Sequence, residues 1–264
     1  MPKIQVSDEI IINYEVEGAG KPLIILHGLG NHSQSWKKQL EGLKEHYQVI
    51  AWDAPGYGNS SDPKEEFKQF SQFADVLKAF VDALGFKSIY LLGHSMGSAI
   101  ALDFTYRYPV MVESLIIADA TRGAAGQSEE DNLIKYISRI NNIKTLTGEE
   151  MAKQRVKELL APNPDPAIKA EAERIMAQVR PKGYISVSNS LYTLDQTDIL
   201  PFILVPVLVI CGEYDKATPV SESEIFHKLI PNSKLEIIPN TGHLCYQEDP
   251  ESFNHAVIDF LKHQ

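Results

Sequence analysis

The chain has only two cysteines among its 264 residues, and Cys211 and Cys245 form no CxxC motif or metal-binding spacing. A disulfide-stabilised scaffold is therefore excluded, and a reducing compartment is expected. No apolar run approaches the roughly 18 residues that a membrane helix requires. The first residues lack the apolar core of a signal peptide. These absences predict a cytoplasmic protein with no membrane partner.

Positively charged residues are also fewer than negatively charged ones: the chain has 25 lysines and arginines but 35 aspartates and glutamates, so its net charge is −10. Proteins that bind nucleic acid cluster lysine and arginine, so this balance argues against nucleic acid as a partner, and none is expected. Residues 121–200 are neutral, with 11 residues of each sign, so the rest of the chain carries the whole negative charge. This contrast indicates a separate substructure. A neutral segment on an acidic body also argues against long-range steering of an anionic substrate.

Strand and helix patterns alternate regularly up to residue 120 and again after residue 200. Short runs that are apolar on both faces, such as residues 23–26 and 115–118, are typical of buried parallel strands. Helical patterns between them complete βαβ units, whereas residues 121–200 contain helical patterns and no strand. We therefore predict an α/β fold: a mostly parallel, twisted sheet of about eight strands with helices on both faces. Residues 1–120 and 201–264 form its core, and residues 121–200 an inserted helical cap.

The sharpest local pattern is the pentapeptide GHSMG at residues 93–97, between a strand pattern and an apolar helix pattern. A serine at such a turn must adopt a strained backbone conformation to raise its hydroxyl above the sheet. The residues two before and two after it must be glycine to avoid a clash. The helix that follows points free N–H groups at the anion formed in acyl transfer. Ser95 is therefore the predicted nucleophile.

A serine hydroxyl needs a general base, and the base needs a carboxylate that orients it. Both groups are expected in loops at the ends of later strands, and two such loops carry Asp215 and His243. Asp119, which directly follows an earlier strand pattern, is a second candidate for the acid. We favour Asp215 because its loop lies next to the strand that leads to the histidine.

Five motifs together resemble the α/β-hydrolase fold family, in its form with a helical cap, over almost the whole chain. In chain order they are HGLGNH, DAPGYGNS, GHSMG, GEYDKATP and NTGHLCYQEDP. The order serine, aspartate, histidine is the one this fold uses. The resemblance implies that the backbone N–H groups of Leu29 and Met96 hold the oxyanion. It also implies that residues 53–60 form a structural turn outside the active site.

The implied activity is that of a serine hydrolase that cleaves a carboxylic ester or related acyl bond through an acyl-enzyme. No metal or organic cofactor is expected. Serine at the turn excludes the epoxide hydrolases and haloalkane dehalogenases of this fold, which use aspartate there. Enol-lactonases and carbon–carbon bond hydrolases stay open as alternatives. So do a hydroxynitrile lyase and a small-molecule sensor that retains the triad.

The cap is expected to select a small to medium apolar substrate. Its candidate contacts are aromatic or apolar and suit an acyl or aryl group: Trp36, Met176, Tyr184, Leu191 and Tyr192. The alternative is that these side chains form the cap's own core. Arg122 could meet a substrate carboxylate, but we expect it to be a solvated hinge residue. A small-molecule ester is the only expected partner of a chain that is a monomer or a homodimer.

Overall fold

The computed structural model describes all 264 residues, and an eight-stranded sheet forms its centre. The strands are β1 (Lys3–Gln5), β2 (Ile11–Glu17), β3 (Pro22–Leu26), β4 (Gln48–Trp52), β5 (Ile89–His94), β6 (Val112–Ala118), β7 (Val207–Gly212) and β8 (Ser233–Ile238). Their order is β1-β2-β4-β3-β5-β6-β7-β8. Only β2 pairs antiparallel, with β1 and with β4, and all other pairs are parallel. The predicted fold class is confirmed.

Helices cover both faces of this sheet. They are α1 (Lys37–Leu43), α2 (Phe70–Ala83), α3 (Met96–Arg107), α4 (Glu129–Thr145), α5 (Gly148–Leu159), α6 (Pro166–Met176), α7 (Pro181–Tyr192), α8 (Val220–Leu229), α9 (Cys245–Glu248) and α10 (Pro250–Leu261). Helices α4–α7 lie between β6 and β7 with no strand among them, and we call residues 129–192 the helical insertion. None of the helices has the length and apolar character that crossing a membrane requires.

The inner strands are buried on both faces, which is why their sequences are continuously apolar rather than alternating. In β3, Leu23 and Ile25 belong to one core cluster, whereas Ile24 and Leu26 belong to the other. Successive side chains of a strand point to opposite faces of the sheet. One short apolar run therefore supplies both cores.

Local side chains determine where helices of the insertion begin. Thr147 and Glu150 form the capping box at the start of α5: the Thr147 hydroxyl accepts from the Glu150 N–H at 3.2 Å, and the Glu150 carboxylate accepts from the Thr147 N–H at 2.9 Å. The Asp165 carboxylate accepts from the Ala167 N–H at 2.7 Å, and Pro166 is the first residue of α6. Both starts follow from the sequence.

The carboxyl ends of the parallel strands meet at one edge of the sheet, so the loops that follow β3, β5, β6, β7 and β8 lie together there. The helical insertion contacts this edge. The carbonyl oxygen of Leu159, at the end of α5, accepts a hydrogen bond of 2.7 Å from the N–H of His243. The loops that carry Ser95, Asp215 and His243, the three predicted catalytic residues, therefore lie together at this edge.

Candidate active site

Ser95 forms the turn between β5 and α3, with φ 53° and ψ −115°. A positive φ in a residue other than glycine is strained, and it persists where the surrounding packing imposes it. A Cβ built on Gly93 would lie 2.3 Å from the carbonyl oxygen of Gly97, and one on Gly97 would lie 2.3 Å from that of Leu26. Both glycines are thus required by close backbone contacts. Ser95 itself is half-buried and lines a cavity at this edge of the sheet.

Asp215, after β7, and His243, after β8, bring their side chains together at this edge. Oδ2 of Asp215 lies 2.8 Å from Nδ1 of His243. Oδ1 of Asp215 accepts backbone hydrogen bonds from Ala217 at 2.7 Å and Thr218 at 3.0 Å. The Thr218 hydroxyl lies 2.6 Å from Oδ2. These donors orient the carboxylate, which in turn favours the imidazole tautomer with its proton on Nδ1 and a basic Nε2.

The electrostatics of the pair follow from its burial and its contact. Burial raises the pKa of Asp215, but the imidazole of His243 and the hydrogen bonds outweigh burial and bring this pKa to about 2. Burial lowers the pKa of His243, but the charge and hydrogen bond of Asp215 together raise it above 6.5. The pair therefore suits a carboxylate that stabilises an imidazolium.

Ser95 and His243 both line one small cavity of about 70 Å³, which residues of the helical insertion also line. The structure has no direct hydrogen bond between the Ser95 hydroxyl and the imidazole. Such bonds are often long before substrate binds and tighten only in the complex. The predicted nucleophile and the predicted base are therefore close to each other, since they line the same cavity.

Asp119, the alternative acid, is fully buried at the end of β6. Its Oδ1 accepts from the N–H of Gly212 at 2.9 Å, and its Oδ2 accepts from the thiol of Cys245 at 3.0 Å. Oδ2 is also 3.5 Å from Nε2 of His94, whose ring donates to the His243 carbonyl oxygen at 2.6 Å. Burial raises the pKa of Asp119. It therefore supports the backbone behind the imidazole rather than bonding to the imidazole itself.

One group of side chains has the spacing of a metal site. Single ligand atoms of Asp119, Asp215 and His243 all lie within 4.8 Å of one another. The hydrogen bond between Asp215 and His243 and the thiol and backbone partners of Asp119 account for this closeness. The donor set can therefore be explained by hydrogen bonding within the protein.

The two N–H groups predicted for the oxyanion lie beside Ser95. Leu29 lines the cavity, and its N–H makes no hydrogen bond within the protein. Met96 is the first residue of α3, so its N–H has no helical carbonyl to bond. A Cβ built on Gly28 would lie 3.2 Å from Cβ of Ser95, so the loop after β3 closely approaches the serine. Both N–H groups are free to meet a developing negative charge.

The five predicted substrate contacts lie in different places. Leu191 lines the Ser95 cavity, and Tyr184 lines an adjoining groove. Trp36 is fully buried in the core cluster that contacts α10, and Met176 is buried in that same cluster. Tyr192 lines a separate groove. Only Leu191 of the five therefore lines the Ser95 cavity. An apolar or aromatic pattern in the sequence does not distinguish a core position from a pocket position.

The arginine that the sequence singled out is engaged elsewhere. Arg122 forms two hydrogen bonds of 2.9 Å with the carboxylate of Glu222 and does not line the cavity. Two other arginines do line it: Arg139 of α4 and Arg155 of α5. Sequence reasoning missed both, since each occupies an ordinary polar position of an amphipathic helix.

Glu248 is a further residue that no sequence motif assigned a role. Its Oε1 accepts from the N–H of Ala161 at 2.9 Å, and its Oε2 accepts from the N–H of Gly242 at 2.7 Å. Burial raises the pKa of this carboxyl. Glu248 thereby joins the chain after α5 to the loop that carries His243.

Comparisons with known proteins agree with the fold. The profile of the alpha/beta hydrolase fold matches residues 21–250. A 2-hydroxy-6-oxo-6-(2'-aminophenyl)hexa-2,4-dienoic acid hydrolase of Metapseudomonas resinovorans is 29% identical over 94% of this chain and 86% of its own. A thermophilic esterase from Thermogutta terrifontis superposes with a TM-score of 0.91, at 26% identity over 99% of this chain and 98% of its own. The esterase EaEST from Exiguobacterium antarcticum gives 0.88, at 26% identity over 98% of each chain.

Proposed function

The chain belongs to the α/β hydrolase fold family, and on this premise we propose that it is a serine hydrolase that cleaves a carboxylic ester or a related acyl bond. One observation carries the proposal. The imidazole of His243 is held at 2.8 Å by Asp215 and shares a small cavity with Ser95, the residue of the strained turn. Esterases among the structural relatives support the same reaction class.

The proposed reaction has two halves, acylation of Ser95 and hydrolysis of the acyl-enzyme, and both use the same groups. Nε2 of His243 takes the proton of the Ser95 hydroxyl as its oxygen attacks the acyl carbonyl, and Asp215 stabilises the imidazolium that forms. The N–H groups of Leu29 and Met96 hold the tetrahedral oxyanion. His243 then protonates the leaving alcohol, and a water molecule repeats the sequence to release the acid.

The apolar part of the cavity suits the acyl chain. Leu29, Leu159, Leu191 and Leu244 line it beside Ser95. A volume of about 70 Å³ favours a small substrate. The proposal is therefore a small acyl substrate seated between the turn and the helical insertion.

Hydrolysis of p-nitrophenyl acetate, butyrate and hexanoate, with fluorophosphonate labelling, tests the proposal. We expect saturable turnover and labelling that Ser95→Ala abolishes. Ser98→Ala is the matched control, since its buried hydroxyl bonds the Gly93 carbonyl at 2.7 Å and does not line the cavity. Turnover or labelling that survives Ser95→Ala would refute the assignment of the nucleophile.

Carbon–carbon bond hydrolysis is a second candidate, favoured by the 29% identical dienoic acid hydrolase. The same three side chains and the same cavity are compatible with it. A 2-hydroxy-6-oxo-dienoate substrate, followed by the loss of its absorbance, separates the two reactions. Turnover of this compound by protein that is inactive on the p-nitrophenyl esters would favour the second candidate.

A further inference from the structure

Arg139 differs from every other arginine of the chain in having no acidic partner. The other five pair with a carboxylate, at N···O distances from 2.6 to 3.2 Å: Arg107, Arg122, Arg155, Arg174 and Arg180. No carboxylate oxygen lies within 4.0 Å of the Arg139 guanidinium, the limit for an ion pair. In a protein with ten more acidic than basic residues, an unpaired arginine is notable.

The Arg139 side chain is half-buried rather than free in solvent. Burial lowers its pKa, the ionisable hydroxyl of Tyr184 opposes this, and the like charge of Arg155 lowers it further. An arginine stays protonated in proteins, so the site holds a partly desolvated positive charge. Such a charge is unfavourable unless an anion neutralises it. The protein supplies no such anion.

The unpaired charge faces the catalytic groups. Arg139 and Arg155 line the same cavity of about 70 Å³ as Ser95 and His243. Arg155 keeps one contact to a carboxylate, Glu158, at 2.9 Å. An anion bound by Arg139 would therefore lie within a few atoms of an acyl group at the serine.

A basic groove leads to this cavity. The groove has a volume of about 970 Å³, and its walls carry five cations and a single carboxylate, Glu158. Besides the two arginines, the cations are Lys135, Lys157 and Lys216. The neutral total of residues 121–200 conceals this surface, because the acidic residues of that segment mostly lie elsewhere. Walls of one sign focus the field and attract ligands of the opposite sign.

From these observations we propose that the substrate carries a carboxylate and that Arg139 binds it. The guanidinium fork matches a carboxylate in shape and charge, which a lysine or a neutral amide does not. This inference rests on the proposed hydrolase function and narrows it. Within that function, the substrate is a short ester or lactone with an acid group on its acyl or its alcohol side.

Three phenyl esters of equal acyl length test the inference. Phenyl hexanoate is neutral, monophenyl adipate carries the carboxylate on the acyl side, and 4-carboxyphenyl hexanoate carries it on the leaving group. For the wild-type protein we expect kcat/KM for one anionic ester to exceed that for the neutral ester about tenfold or more. Arg139→Gln should bring this ratio close to one, and Arg139→Lys should retain part of it. Arg122→Gln is the control and should leave the ratio unchanged.

Failure of the inference and failure of the proposed hydrolase function give different results in this experiment. A wild-type ratio of one or less would overturn the inference, and so would an equal loss on all three esters in Arg139→Gln. If no ester is hydrolysed, the proposed function fails. Carboxylate binding is then measured alone, as thermal stabilisation of Ser95→Ala by hexanoate against hexanamide. Equal effects of these two compounds would overturn the inference.

A measurement on wild-type protein guards against a variant that does not fold. Raising the ionic strength from about 20 to about 200 mM shortens the screening length from roughly 20 Å to roughly 7 Å. We expect kcat/KM for the favoured anionic ester to fall with salt while that for phenyl hexanoate stays level. A salt response shared by both esters would contradict attraction by the basic groove.

Discussion

Replacing Asp215 by asparagine should abolish most turnover for a reason that the hydrogen bonds of the site specify. Oδ1 accepts from the two backbone N–H groups of Ala217 and Thr218, so the amide oxygen of an asparagine must take that position. The amide nitrogen then replaces Oδ2 and donates to Nδ1 of His243, which lies 2.8 Å away. The imidazole proton is forced onto Nε2, the atom that must act as base.

The expected loss in kcat is about 10⁴-fold, because a misplaced proton at such an imidazole has an effect of this order. This factor corresponds to about 5 kcal/mol of transition-state stabilisation. Hydrolysis of p-nitrophenyl butyrate by matched amounts of folded protein, verified by circular dichroism, measures it.

Asp119→Asn is the matched control for this prediction. Its Oδ1 accepts from the Gly212 N–H, so the new amide nitrogen meets the Cys245 thiol and the His94 ring, not the catalytic imidazole. We expect less than about a tenfold loss, with its main effect on stability. The reverse pattern, in which Asp119→Asn loses activity and Asp215→Asn keeps it, would refute the assignment of the acid.

Three further predictions concern residues that support the proposed triad and the pH dependence of the reaction. Glu248→Ala removes two charged hydrogen bonds of roughly 1.5–3 kcal/mol each. The Tm measured by thermal denaturation should therefore fall by about 6–12 °C. A fall below about 2 °C would contradict this prediction. Gly97→Ala places a Cβ 2.3 Å from the Leu26 carbonyl oxygen and should give inactive protein, destabilised by more than about 2 kcal/mol in urea titrations. Because the base must be neutral and the pKa of His243 is raised, kcat/KM should rise with pH through a value above 6.5. Asp215→Asn should move this limb to lower pH, and an unchanged limb would show that another group titrates.

Local patterns in the sequence were enough to predict the sheet, the helical stretch that interrupts it and the turn at Ser95. The buried strands are readable because both faces of an inner strand are apolar, and helix starts such as Thr147 and Asp165 are set by neighbours two or three residues away. The two glycines around Ser95 are equally local, since each removes one backbone clash. Loop order along the chain also led to Asp215 and His243 as a pair.

Only the tertiary structure decided which polar side chains face Ser95. Arg122 and Arg139 both look like solvent-exposed positions in the sequence, yet one pairs with Glu222 and the other lines the cavity without a partner. Likewise, Trp36 is packed in the core although its pattern also suited a pocket. Periodicity states which face of a helix is polar, but the packing of that helix on the sheet edge determines what the face meets. The proposed nucleophile could therefore be predicted from the sequence, whereas the charge proposed to bind the substrate depends on contacts between segments far apart in the chain.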